Sequence, residues 1–311
     1  MSTRTRRVLL TVAAVPLAAI LTFGALITAW LNGWRIPAAS GTTWFSVTNT
    51  SSVTHGSASH RNEPSAPFFV LVLGSDYRPG VEGGRADGIH VVGVNPKTAQ
   101  ATIVNIPRDT TIAIPGRQRN KVNATTALGG PKLAAQAIGA LMGIDLRYAV
   151  MTDFAGFVGL VDTVGGVDVP VLRSMHDKFS GTNFDPGIVH MNGHQALAFS
   201  RDRYSFANGD YSRTMNQATL LISALAKFRA QHTGAAGTIE GLAILGRHTQ
   251  VEGIGMRDLY ELGRAALDIN PAVVRSVLLP MGAGSGSGPA PRADIEGFLA
   301  DFRDDAVLQN H

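Results

Sequence analysis

Residues Phe68-Phe69-Val70-Leu71-Val72-Leu73 form an unbroken apolar run that stops at Gly74-Ser75-Asp76. A strand with one wet face alternates apolar and polar residues; a run without alternation is a strand covered on both faces. Ile89–Val94 and Ala101–Ile106 repeat the pattern, and Asn95-Pro96-Lys97-Thr98 between them is a tight-turn signal. Arg147–Met151, Val167–Val171 and Val273–Leu279 read as further strands. Helical periodicity appears in Pro131–Met142, with proline in its first turn, and in Phe154–Val164, Asp210–Arg229 and Met256–Leu267. Strands that alternate with helices predict an α/β domain, a mixed central sheet flanked by helices on both faces.

The N-terminus predicts a compartment. Arg4, Arg6 and Arg7 precede an uncharged stretch from Val8 to Trp34, longer than the roughly 20 apolar residues a membrane span requires. Basic residues before a span hold that end in the cytoplasm. The organisation expected is a cytoplasmic tail (1–7), a transmembrane anchor (8–34), a flexible extracytoplasmic linker (35–67) and a folded domain (68–311). A cleaved signal peptide would have a shorter apolar core, although Ala38-Ala39-Ser40 resembles a cleavage site. The chain has no cysteine, so disulfides, thiol catalysis and cysteine-based zinc sites are excluded.

Of the 27 basic residues 22 are arginine. They form no basic run, which argues against nucleic acid as a partner. Several instead fall beside acids at the ends of the expected strands. Asp76 and Arg78 follow the first strand; Arg85 and Asp87 precede the second; Arg108 and Asp109 end the third, with Lys121 and Asn123 in the next loop. In open α/β sheets ligand sites gather beyond strand ends. Arg201 and Arg203 share a face if the backbone there is extended, and Asp210, Arg213 and Gln217 share a helix face at i, i+3, i+7. A guanidinium grips phosphate oxygens through two parallel donors, and a carboxylate pair holds a divalent cation, so one pocket built from both suits a Mg²⁺-bridged pyrophosphate. Ordinary surface pairs and a solvated helix stripe explain each group equally well when it is taken alone. No G-x-S-x-G and no H-E-x-x-H occurs.

The ordered series GSDYR, RAD, NIPRDT, KVNA, the Asp-Phe-x-Gly-Phe segment at 153–157, the Val-Gly-Gly-Val segment at 164–167 and RDR…D..R…Q resembles the LytR-CpsA-Psr family of cell-wall glycopolymer ligases. The resemblance runs from about Phe68 to Leu225. The chain departs from the usual pattern at Ala86-Asp87-Gly88, where the family has Ser-Asp-Thr, and at Met215-Asn216-Gln217, where it has Arg-Gln-Gln. The resemblance implies a membrane-anchored, extracytoplasmic transferase that moves a glycan from a polyprenyl-pyrophosphate donor to a peptidoglycan hydroxyl. It implies Asp76 and Asp87 as ligands of Mg²⁺, with Mn²⁺ the alternative. It also implies a pyrophosphate wall of Arg78, Arg85, Arg108, Lys121, Arg201, Arg203, Arg213 and Gln217. Arg108, Asp109 and Asp210 are the candidate catalytic residues, either acid serving as base or as arginine-orienting carboxylate. Phe154, Phe157, Leu160 and Phe199 are candidates for a prenyl groove. A polyprenyl-pyrophosphate pyrophosphatase would use the same residues, and a non-catalytic envelope regulator would bind without turnover.

Overall fold

A computed structural model gives the fold. It describes residues 45–49, 66–77, 84–247, 250–252, 256–283 and 288–309, all within the compact unit Thr43–His311. The expected anchor, the cytoplasmic tail and Arg78 lie outside the described residues. Among the described residues no helix is long and apolar enough to cross a membrane.

In chain order the strands are β1 (Phe45–Asn49), β2 (Phe68–Ser75), β3 (Ala86–Asn95), β4 (Gln100–Asn105), β5 (Thr111–Ile112), β6 (Asn120–Lys121), β7 (Tyr148–Thr152), β8 (Val167–Val171), β9 (Met175–Asp177), β10 (Thr182–Phe184), β11 (Gly187–Met191), β12 (Gln250–Glu252), β13 (Arg275–Leu278), β14 (Met281–Gly282) and β15 (Ala290–Pro291). The helices are α1 (Ala124–Met142), α2 (Phe154–Thr163), α3 (Gly193–Arg201), α4 (Asp210–Gln231), α5 (Gly234–Arg247), α6 (Met256–Asp268) and α7 (Glu296–Asp305). Seven strands form the central sheet in the order β12-β1-β7-β2-β3-β4-β13. The sheet is mixed: β2 pairs parallel with β7 and antiparallel with β3, and β4 pairs antiparallel with β3 and parallel with β13.

Both sheet faces are covered, as the unalternating runs require. Leu71, Leu73, Ile89, Val91 and Val104 join Ala134, Ile138 and Met142 of α1 and Phe298 and Phe302 of α7 in the main core. On the opposite face Phe68, Val92 and Val94 pack with Leu225 of α4 and Ala265 of α6. A third cluster joins Val167, Val169 and Val171 of β8 to Val161 of α2, Phe199 of α3 and Leu220 of α4.

Two details differ from the sequence-based expectation. The helix expected from Pro131 is the second half of α1, which is broken at Gly129 and Gly130 (φ 68°); proline needs no amide donor in the first turn after the break. Strand β1 lies within the segment expected to be a linker. Its sequence Phe-Ser-Val-Thr-Asn alternates at period two, and it pairs antiparallel with β7 and parallel with β12.

Candidate functional site

Strand β3 enters the site through a bulge. Gly74 pairs with Gly88 and Ser75 with Ala86, so Asp87 is an extra residue with no partner across the ladder. Bulges re-aim side chains, and this one sends the Asp87 carboxylate to Arg108, 2.7 Å from a terminal guanidinium nitrogen. Arg108 sits on the turn after β4, closed by the Thr110 amide and hydroxyl, both donating to the Pro107 carbonyl (3.0 and 2.6 Å). The Asn123 amide donates to the Arg108 carbonyl (3.1 Å), which ties the Lys121–Asn123 loop to this turn.

The helix face expected from Asp210, Arg213 and Gln217 turns inward. Asp210 Oδ1 lies 2.8 Å from Arg213, 3.5 Å from Arg108 Nε and 3.7 Å from Arg203 Nε. One carboxylate therefore gathers three guanidinium groups contributed by two loops and a helix. Arg213 is 4% exposed and also reaches Asp87, whose backbone carbonyl accepts from it at 3.3 Å. Burial lowers the Arg213 pKa from its ordinary value, against the pull of Asp210. Burial opposes the charge of Arg108 too, but there Asp87, Asp210 and Asp109 outweigh it and hold the guanidinium above its ordinary value. The Nε atoms of Arg108, Arg203 and Arg213 are buried without a hydrogen bond, those of Arg108 and Arg203 facing Asp210 Oδ1 at ion-pair distance.

Asp109 stands beside this cluster. Burial pushes its carboxyl up, yet the Lys121 ammonium at 2.8 Å, with Arg108 and Arg203, holds it below the usual carboxylate range. Lys121 is spent on Asp109 and is exposed. Asp76 and Arg85 meet through their main chains: the Asp76 amide donates to the Arg85 carbonyl (3.0 Å), and Asp76 Oδ1 accepts from the Arg85 amide (2.7 Å). Asp76 and Arg85 are thus held together, with the Arg85 side chain exposed.

A cavity of about 630 Å³ opens from the cluster. Asp87, Arg108, Arg201, Arg203, Arg213 and Gln217 line one end. Phe157, Leu160, Leu221, Phe228, Leu242 and Leu267 line the other, drawn from α2, α4, α5 and α6. Arg201 lies with its guanidinium carbon 5.0 Å from the centre of the Phe154 ring. Asp76, Arg85, Asp109, Lys121 and Asp210 are not among the residues lining it. Phe154, Phe157 and Leu160 line the cavity as expected, whereas Phe199 is 2% exposed and packs edge-on against Phe184 in the third core cluster. Position along the chain could not tell the two environments apart, because Phe199 lies two residues from Arg201.

His90 was absent from the sequence reading and lines the cavity behind Gly88. Burial lowers its pKa from 6.5 to about 4, against hydrogen bonds from Asn105 and Gln217; its Nδ1 lies 2.7 Å from Asn105 Oδ1. Gln217 also donates to the Ser200 carbonyl at 3.2 Å, joining α4 to the end of α3.

Among the described residues no three His, Asp or Glu side chains converge to hold a metal ion. Of the two acids expected to hold a cation, Asp87 is engaged by Arg108 and Arg213, and Asp76 accepts from the Arg85 amide.

This is a mixed α/β protein with a largely apolar cavity that several arginines help to line. The chain belongs to the LytR_cpsA_psr family, whose model matches residues 41–287. It is 35% identical over 164 residues to the polyisoprenyl-teichoic acid–peptidoglycan teichoic acid transferase TagU of Bacillus mycoides, covering 52% of this chain and 53% of that protein. The TagU of Enterococcus faecalis is 38% identical over 154 residues, covering 49% and 50%. The chain therefore spans about half the length of the curated relatives it matches. Among solved structures, the LytR-Csp2A-Psr enzyme from Actinomyces oris superposes with a TM-score of 0.63 at 26% identity, covering 77% of this chain and 91% of that one.

Proposed function

We propose that this chain transfers a glycopolymer, with the phosphate attached to it, from a polyprenyl-pyrophosphate-linked donor to a peptidoglycan hydroxyl and releases polyprenyl phosphate. One observation carries the reading: a single cavity is lined both by clustered guanidinium groups and by an apolar wall. A prenyl pyrophosphate has that polarity, a polyanionic head on a hydrocarbon tail. The names of its relatives, polyisoprenyl-teichoic acid–peptidoglycan teichoic acid transferases, support the same chemistry. The basic and apolar N-terminal segment supports a single-pass anchor with the domain outside the cytoplasm, where a lipid-borne donor and the wall are both in reach.

In this reading Arg108, Arg203 and Arg213, which line the cavity, offer guanidinium donors to the pyrophosphate oxygens, and Arg201 and Gln217 complete the wall. Preorganised donors of this kind stabilise charge as it develops on the leaving phosphate. Asp210 holds the three guanidinium groups in register. Asp109, ionised beside Lys121, is the nearest candidate to orient the acceptor hydroxyl. A Mg²⁺ or Mn²⁺ ion carried by Asp76, Asp87 and the pyrophosphate would neutralise further charge when bound.

The test is turnover of the full chain on a prenyl-pyrophosphate glycan with peptidoglycan present. Arg108→Ala and Arg203→Ala are expected to lose at least about a hundredfold in transfer while the domain stays folded, as cooperative thermal unfolding checks. Full activity in either variant removes that residue from the reaction. Release of free phosphoglycan instead of a wall-linked product makes the protein a pyrophosphatase, and binding without turnover makes it a non-catalytic envelope protein.

A further inference from the structure

The segments Asp177-Lys178-Phe179-Ser180 and Asp202-Arg203-Tyr204-Ser205 share one pattern, acid–base–aromatic–serine, and fold in the same way. In the first, Asp177 accepts from the Phe179 amide (2.9 Å), the Ser180 amide (3.2 Å) and the Ser180 hydroxyl (2.7 Å). In the second, Asp202 accepts from the Tyr204 amide (3.1 Å), the Ser205 amide (3.0 Å) and the Ser205 hydroxyl (2.7 Å). Thr182 joins the two turns: its hydroxyl donates to Asp202 (2.6 Å) and accepts from the Asp177 amide (3.2 Å). Both carboxylates are buried, Asp177 at 5% and Asp202 at 0% exposure. A buried carboxylate is tolerated only when it is this fully hydrogen-bonded, so the two turns form one rigid unit.

That unit carries two aromatic rings to the surface. Phe179 is 83% exposed and Tyr204 69%, their ring centres are 5.1 Å apart with planes inclined at 45°, and both stand on the rim of the cavity. Tyr204 directly follows Arg203, one of the three clustered guanidinium groups. Both rings line the same cavity as the clustered guanidinium groups.

We propose that Phe179 and Tyr204 are a saccharide-stacking platform that takes a pyranose ring beside the pyrophosphate. The inference deepens the function proposed above and rests on it. A pyranose presents a flat face of C–H bonds, which packs on the electron-rich face of an aromatic ring, and a rim of hydroxyls that needs polar neighbours. Ser180, Arg201 and Arg203 supply that polar rim on the same cavity edge. The pyranose is either the donor sugar attached to the pyrophosphate or a sugar of the acceptor glycan, and binding measurements separate the two.

The experiment uses the full chain in detergent and three probes: a prenyl pyrophosphate without sugar, the same compound bearing one N-acetylhexosamine, and a soluble peptidoglycan glycan fragment. Affinities are compared for the unaltered chain, Phe179→Ala, Tyr204→Ala, the double variant and the conservative Phe179→Trp. Sugar-free prenyl pyrophosphate is expected to bind every variant equally. The sugar-bearing donor is expected to bind the alanine variants roughly tenfold more weakly and the tryptophan variant normally. If the glycan fragment shows that loss and the donor does not, the platform serves the acceptor. The proposal is overturned if both saccharide probes bind the double variant as well as the unaltered chain. Equal loss of all three probes also overturns it, because the rings then only support the site. So does loss of binding to sugar-free phosphatidylglycerol vesicles with saccharide binding intact, which makes the rings a lipid contact. If the unaltered chain binds no prenyl pyrophosphate at all, the proposed transferase reading fails, and the glycan fragment alone decides the platform.

Discussion

At the scale of single residues, the site depends on how charge is balanced where water is scarce. Asp210 gathers Arg108, Arg203 and Arg213, and Arg213 is almost wholly enclosed. A buried ion pair adds little over an apolar packing of the same volume, but removing one partner leaves the other charge uncompensated. Asp210→Ala is therefore expected to cost about 3 kcal/mol of stability, read as a lower denaturant midpoint. An unchanged midpoint would mean that the arginines find other partners. Spacing alone does not show this convergence, because Asp87, Arg108, Arg203 and Asp210 belong to separate segments; the family resemblance is what implies it. The residue types at strand ends were legible; the bulge that frees Asp87 and the enclosure of Arg213 were not. Phe179 and Tyr204 escaped notice for another reason. Exposed aromatics carry no periodic signal, and only the repeated acid–base–aromatic–serine pattern marks them.

At the scale of elements, the long apolar runs were the most readable part. β2, β3 and β4 and helices α2, α4 and α6 follow the patterns of their sequences closely, since each buries a continuous face. Short elements held by local polar bonds were missed. Helix α3 is one: Asn192 and Gln195 form a reciprocal cap at its start, a spacing of three that a search for capping boxes would have caught. Strands β9, β10 and β11 are too short for alternation to register. Packing between elements leaves its own mark at Gly93 of β3, where an added Cβ would lie 2.4 Å from the Ala306 carbonyl oxygen and 2.6 Å from the Phe302 ring. Gly93→Ala is expected to push α7 off the sheet and cost on the order of 2 kcal/mol, measured by chemical denaturation. Stability equal to that of the unaltered chain would show that the α7 contact yields freely.

For the whole molecule, the site sets a pH dependence. His90 is 3% exposed, with a pKa lowered from 6.5 to about 4 by burial. The unfolded chain binds a proton there below pH 6.5 and the folded chain does not until about pH 4. Stability is therefore full above pH 6.5 and falls as the pH drops toward 4, by on the order of 3 kcal/mol from this group. Denaturant midpoints across that range should show the slope in the unaltered chain and a shallower one in His90→Gln. Equal slopes would assign the effect to other groups. Asp109 acts in the same direction at lower pH, since its depressed pKa gives stability that is lost as the pH falls through the folded value.

Strand β1 bears on where the folded body begins. It lies between β12 and β7, away from the sheet's margins, although composition alone assigns its residues to a tether. A shortened protein started at the first long apolar run would retain the arginine cluster yet strip β7 of a neighbour along its whole length. The bared amides and carbonyls would then recruit strands from other molecules, and loss of solubility would be mistaken for a defect of the catalytic region.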